Sequence, residues 1–267
     1  MTGLALFGFV IAVGFLVQWI AFVPAYLAQT ERFYDLTGSL TYILVVTVAL
    51  LLAPAPGLRS IVLWVLVVIW AVRLGTFLFA RVRRAGRDTR FDEIKPSFAR
   101  FLIAWTMQGL WVSLTLAPAL AAIVFAEEAA AAPPGGGFSA DAFLVVGLFV
   151  WVAGFAIEVF ADAQKRRFRA DPANKGRFIS TGLWAWSRHP NYFGEIVLWT
   201  GMAIIAFPVL EGWQLATLVS PVFVYVLLTR ISGVPLLERK ADATWGGEEA
   251  YERYKAQTPV LMLRRPR

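Results

Sequence analysis

Seven long apolar runs divide the chain, at about 3–28, 37–53, 60–80, 98–126, 141–164, 190–209 and 213–230. Each comes close to the roughly 20 residues that an α-helix needs to cross a bilayer. The runs are apolar on every side and lack the period-two alternation of half-buried strands, so they predict helices surrounded by lipid or by one another. The fold class expected is all-α: a polytopic membrane protein of about seven transmembrane helices, forming one domain over 1–267. Pro54-Ala55-Pro56-Gly57 ends the second run, and the stretch from Glu127 to Gly137 reads as a low-complexity loop. A polar tail follows the seventh run. The first run is too long, and lacks the basic start, for a cleavable signal, so it is expected to be retained as a span.

Charge adds sidedness to this pattern. Only 16% of the residues are charged and 58% are apolar, against roughly 25% charged in an ordinary soluble domain. Segment 81–100 holds seven basic and three acidic residues, 165–188 seven and one, and 230–267 eight and five. The alternate connections hold a single basic residue, Arg59. Seven spans put the three basic segments on one face, and the positive-inside rule places the N-terminus outside and the C-terminus in the cytoplasm. A multi-pass integral membrane protein with its basic face in the cytoplasm is expected. The surplus of +7 is accounted for in this way. It argues for membrane lipids as surroundings, not for nucleic acid, and nothing implies an obligate protein partner. With no cysteine and one histidine, thiolate-ligated haem or iron–sulfur centres and histidine-rich di-iron sites are excluded, and no metal is expected. The chemistry must rest on an organic cofactor or on acid–base side chains.

Ionisable groups inside spans are costly, about 2.5–3.5 kcal/mol at the helix centre on insertion scales, and mark function by default. Arg73, Glu158, Asp162 and Glu195 are such groups, with Asp35 at the mouth of the second span. Glu158 and Asp162 stand at i, i+4, and Lys165 and Arg169 continue the same face at i+7 and i+11. One stripe thus runs from acidic within the membrane to basic at its edge. Snorkelling accounts for Lys165 and Arg169 but not for Glu158. Arg73 and Arg84 are eleven residues apart on one face, roughly 16 Å, close to the length of an extended dinucleotide. The alternatives are an ion pair of Arg73 with Asp162 or Glu158, and anionic headgroups for Arg81, Arg83, Arg84 and Arg87.

The segment 176–195 is aromatic, cationic and ends in a helix start, with Pro190 suited to the first turn. Asn191 and Glu195 again stand at i, i+4, and the helix N-terminus offers N–H groups to an anion or carboxamide. His189 before Pro190 reads either as a structural hydrogen-bonder or as part of the site. Trp184 and Trp186 fit an interfacial belt without any ligand.

The run Ser187-Arg188-His189-Pro190-Asn191-Tyr192-Phe193-Gly194-Glu195 resembles the C-terminal signature of the membrane steroid 5α-reductase superfamily. Phe33-Tyr34-Asp35-Leu36-Thr37-Gly38 and Trp70-Ala71-Val72-Arg73-Leu74-Gly75 resemble its bacterial branch, which carries a formerly unknown-function (DUF1295-type) domain. The resemblance covers roughly residues 30–260. It implies seven helices, NADPH bound from the cytosolic side, and reduction of an enone in a lipid-accessible pocket. By position it assigns Arg73, Arg84, Glu158, Asp162, Arg169 and Arg177 to the cofactor, and Asn191 and Glu195 to its nicotinamide end. Lys165 and His189 join that set from the stripe and the signature. Asp35 falls where the family has a Glu near the substrate carbonyl, Tyr34 where it has Gln, and Trp70 where the animal enzymes have Tyr.

The residues are consistent with that expectation. No G-x-G-x-x-G follows a strand, so a dinucleotide must be held by side chains, and arginine suits phosphate. Conjugate reduction needs a donor at the carbonyl oxygen as charge grows there. Asp35 is the expected acid, Tyr34 or Tyr26 the alternative donors, and Tyr26 and Trp70 the expected substrate contacts. Asp35 as a cap of the second span is the bland alternative. A steroid or related enone is the expected lipophilic substrate. Two rival classes stay open. One is an S-adenosylmethionine-dependent methyltransferase of the isoprenylcysteine type, for which this much positive charge is excessive. The other is a small transporter or lipid-binding scaffold, for which no internal repeat is seen.

Overall fold

The computed structural model describes residues 2–85, 88, 91–125 and 137–265, without the side chains of 81, 84, 85 and 137–141. Among them lie α1 Gly3–Leu27, α2 Tyr34–Leu52, α3 Leu58–Ala85, α4 Phe98–Val124, α5 Gly137–Ala170 and α6 Pro190–Ala206. The chain continues through 3₁₀ turns at Phe207–Val209 and Gly212–Val219 into α7 Ser220–Val226, a π turn at Leu227–Ile231, α8 Val234–Trp245 and α9 Glu249–Gln257. Among the described residues seven segments are long and apolar enough to cross a membrane. The chain is an all-helical integral membrane protein.

The apolar runs locate the helices, and three differences are informative. First, α2 starts at Tyr34 and its cap residue is Phe33, which makes no side-chain capping bond. Asp35 therefore lies inside the first turn, where its charge favours the helix dipole, and it is not the cap. Second, α5 runs to Ala170, so the stripe from Glu158 to Arg169 lies on one unbroken helix. Third, the seventh run is not a single α-helix but 3₁₀, α and π turns in series, and the polar tail is itself helical. Pro118 sits within α4, which continues through it.

The chain forms two compact units. The first comprises residues 1–144 and 205–220, built on α1–α4. Its polar side chains tie helix to helix: Gln18 Nε2 donates to Thr41 Oγ1 (2.8 Å), Trp64 Nε1 to Thr47 Oγ1 (2.9 Å) and Trp19 Nε1 to Thr106 Oγ1 (3.0 Å). Helix α4 is the buried centre, closed on all sides from Thr115 to Val124. That is the expected place for a helix that is apolar all round.

The second unit comprises residues 145–204 and 221–267. Here α5 and α6 approach through glycine. A Cβ on Gly194 would meet Gly154 O at 2.6 Å and Glu158 N at 2.7 Å, and one on Gly201 would meet Trp151 N at 2.6 Å. Small residues allow such backbone contact between membrane helices. The register is antiparallel and sets Glu158 beside Gly194, so continuing it brings Asp162 level with Pro190 and Asn191.

Candidate functional site

In the second unit three stretches of chain converge on one cavity of about 160 Å³. The C-terminal end of α5 supplies Lys165 and Arg169, the connection to α6 supplies Arg177 and Arg188 with His189, and α8 supplies Glu238 and Lys240. Phe178, Trp184, Trp245, Tyr251 and Tyr254 form its aromatic wall. The connection is fixed by its own polar groups. Leu183 N–H donates to Gln164 Oε1 (2.9 Å) and Trp184 Nε1 to Ala161 O (3.0 Å). Tyr254 OH donates to Trp184 O (2.7 Å), and Trp245 Nε1 to Gly176 O (2.6 Å). The tail after α9 runs back along the signature: Arg188 N–H donates to Pro259 O (2.9 Å) and Arg264 N–H to Trp186 O (3.0 Å). Ser187, fully buried, donates to Leu261 O and receives His189 N–H.

The electrostatic centre is a carboxylate between two bases. Glu238 Oε2 pairs with Arg188 Nη1 and Oε1 meets His189 Nε2, both at 2.7 Å. Burial holds the His189 pKa below its usual value, the Lys165 and Arg188 charges push the same way, and the bond to Glu238 only partly opposes them. The ring is therefore neutral near pH 7 with its proton on Nε2, donated to Glu238. His189 Nδ1 is then a lone-pair acceptor, buried with no partner among the described residues, as is Asn191 Oδ1. Lys165 Nζ stands 4.2 Å from the Trp184 ring centroid, a cation–π contact. Burial and the Asp242 carboxylate, which accepts the Tyr251 hydroxyl proton at 2.9 Å, push the Tyr251 pKa up; burial does the same to Tyr254. Both phenols stay protonated.

Of the residues singled out in the sequence, the cavity gathers Lys165, Arg169, Arg177 and His189. Glu158, Asp162 and Glu195 are buried in the same unit along the α5–α6 contact, without lining it. Arg73, in the first unit, lies with its guanidinium carbon 5.4 Å from the Phe77 centroid. The Arg84 side chain lies outside the described residues. The substrate candidates are also in the first unit. Tyr34 OH donates to Ala104 O (2.8 Å), with its ring against Phe91 and Trp105 at 4.7 and 5.1 Å. Its proton is already committed to α4. Tyr26 shares the same aromatic cluster through Phe22 and Phe98. Trp70 is buried edge-on to Tyr42, 5.0 Å away. Asp35 is half-buried. Sequence reasoning missed Glu238, Lys240, Tyr251 and Tyr254, which lie in the tail. The available signal there was the helical pattern around Pro235 and the stop at Gly246-Gly247.

The family model described as a protein of unknown function, DUF1295, matches residues 21–258, and the chain belongs to that family. A probable O-methyltransferase, ustE, of Ustilaginoidea virens is 28% identical over 91 residues, 34% of this chain and 32% of that protein. Uncharacterized protein C594.04c of Schizosaccharomyces pombe is 27% identical over 206 residues, 65% and 57% of the two chains. The 3-oxo-5-alpha-steroid 4-dehydrogenase 1 of Bos taurus is 30% identical over 92 residues, 34% of each. The chain thus covers about a third of the length of two of these relatives and 57% of the third. No solved structure matches. The relatives fit a membrane reductase or methyltransferase family within the steroid 5α-reductase-like superfamily.

Proposed function

We propose that this chain is an NADPH-dependent membrane reductase acting on the C=C bond of an α,β-unsaturated ketone, most readily a 3-keto-4-ene steroid or a related lipophilic enone. The observation that carries this reading is the donor set of the cavity. Lys165, Arg169, Arg177, Arg188 and Lys240 line it together with Glu238. Such a set suits phosphate, and guanidinium matches phosphate geometry. Two orphaned buried acceptors, His189 Nδ1 in its lining and Asn191 Oδ1 two residues on, suit N–H donors such as a carboxamide. A cavity of about 160 Å³ takes one phosphate–ribose portion, so the residues fit the phosphate-bearing end of the cofactor. NADPH, when bound, supplies hydride for the β-carbon. In this reading Arg169 and Arg177 hold phosphate at the cavity rim. Asn191 and Glu195 orient the carboxamide, and Asp35 donates a hydrogen bond or proton at the substrate carbonyl, where charge develops. The basic face of the protein is cytoplasmic, in a bacterial inner membrane.

The similarity to a probable O-methyltransferase favours a second reading, transfer of a methyl group from S-adenosylmethionine. That cofactor carries no phosphate to match a lining that holds five basic side chains. Melting temperatures in detergent with NADPH, NADH and S-adenosylmethionine discriminate. A ligand at 100 times its Kd adds about 2.7 kcal/mol to stability. A large shift with NADPH and a small one with NADH is expected. A shift with S-adenosylmethionine alone reverses the assignment, and equal shifts with both nucleotides remove the role of the 2′-phosphate.

A further inference from the structure

Two guanidiniums in the first unit stand over an apolar crevice that the reading above does not use. Arg32 lies in the turn between α1 and α2, and Arg83 near the end of α3. With Phe33, Phe79 and Val82 they line a crevice of about 280 Å³. The Phe33 and Phe79 rings stack with centroids 6.4 Å apart and planes 23° from parallel, and Val82 is buried beneath. Phe33 is 56% exposed, so its ring is not used up by packing. Arg32 and Arg83 are both exposed, and neither enters an ion pair among the described residues.

The turn that presents Arg32 and Phe33 is built, not loose. Glu31 is buried, accepts Asp88 N–H at 2.8 Å and pairs with Lys95. The acid nearest Arg32 is thereby neutralised by a partner of its own and does not cancel the two guanidiniums. Asp35 is not among the residues that line the crevice. Because α1, α2 and α3 each cross the membrane, the α1–α2 turn and the end of α3 reach the same face. That face carries the basic loops. A pair of unneutralised cations beside an exposed aromatic pair, at the edge of the hydrocarbon, matches one chemistry: a negative headgroup covalently joined to an acyl chain.

We propose that this crevice binds an anionic phospholipid, its phosphate between Arg32 and Arg83 and its chain along Phe33 and Phe79. Native mass spectrometry of the full chain, titrated with phosphatidylglycerol or phosphatidylcholine, tests it. Wild-type protein is expected to retain one phosphatidylglycerol in preference to phosphatidylcholine. Arg32→Gln and Arg83→Gln should each weaken binding about fivefold and the double variant about 25-fold, from roughly one basic contact each. Phe33→Ala should weaken it too, whereas Arg166→Gln with Arg167→Gln, exposed cations of the second unit, should not. An unchanged melting temperature in phosphatidylcholine nanodiscs reports an intact fold; if the double arginine variant does not fold, Phe33→Ala carries the test. The proposal is overturned if the double arginine variant binds like wild type, or if the Arg166 and Arg167 changes cost as much. It is also overturned if Phe33→Ala has no effect, or if glycerol 3-phosphate is retained as well as the lipid.

Discussion

The two units of this chain use polarity in opposite ways. In the first, neutral side chains join one apolar helix to another: Gln18 to Thr41, Trp64 to Thr47, Tyr34 to the Ala104 carbonyl. In the second, α5 and α6 approach through Gly154, Gly194 and Gly201, which let their backbones touch. Five basic side chains and Glu238 gather there around a cavity. The first unit offers aromatic surface suited to a lipophilic molecule, the second a cationic cradle suited to phosphate.

The strongest challenge to this contrast is a side chain at the glycine contact. Gly194→Val would place carbon about where Gly154 O and Glu158 N already lie, at 2.6 and 2.7 Å. Both obstacles are backbone and cannot swing aside. Overpacking in a core typically costs about 1–3 kcal/mol and occasionally more; here the upper end or beyond is expected. The variant should show little or no folded protein by size-exclusion chromatography in detergent. Normal melting would mean that the α5–α6 contact is not what holds the second unit.

Next in size is Asp35. If the first unit holds the enone, Asp35→Ala should lower the turnover of a 3-keto-4-ene steroid by about 10²–10³, as loss of an oxyanion donor does, while leaving the NADPH-induced melting shift intact. Asp35→Asn keeps a donor but cannot release a proton. A stable Asn variant that is active points to polarisation alone, an inactive one to proton donation. Tyr34→Phe is the internal control. Its hydroxyl already serves Ala104 O, so the variant should lose about 1 kcal/mol of stability and keep its turnover.

These residues also show what was legible in the sequence. Hydropathy located all seven spans, because lipid leaves a long apolar run few alternatives. It missed that the last is interrupted, since 3₁₀ and π turns around Pro221 and Gly233 change backbone geometry without changing composition. The stripe from Glu158 to Arg169 was legible because helical spacing alone puts those residues on one face. Glu238 was not, because its partners Arg188 and His189 lie about fifty residues earlier and meet it only when the tail folds back. Asp35 looked like a cap because Asp-x-x-Gly is a common helix start; the helix begins two residues earlier, at Tyr34, and this removed that reading.

Arg177→Ala sharpens the comparison from the second unit. Loss of one charge-assisted contact costs about 1.5–3 kcal/mol, so the NADPH Kd should rise roughly tenfold or more, with a smaller effect on the rate of the bound complex. The same holds for Arg169→Ala. A rise below about threefold would move the residue from cofactor to lipid contact.

The smallest effect separates the two units by pH. Burial keeps His189 below its usual value of 6.5, so the unfolded chain takes up a proton there before the folded chain does. Stability should therefore fall as pH drops below about 7, and this contribution should level off once the pH is below the folded value. Glu31 in the first unit is also shifted down: burial raises it, but Lys95 and the Asp88 N–H outweigh that. Its contribution is present above 4.5, the usual value for Glu, and is lost as pH falls through the lower folded one. Both groups make acid destabilising, but in successive windows. His189→Gln should flatten the melting temperature over the window that opens near pH 7 and leave the acid limb. Glu31→Gln should do the reverse. If His189→Gln left the upper slope unchanged, the ring would not be the buried neutral group that Glu238 orients. The cavity would then have to be redrawn with a charged histidine in it.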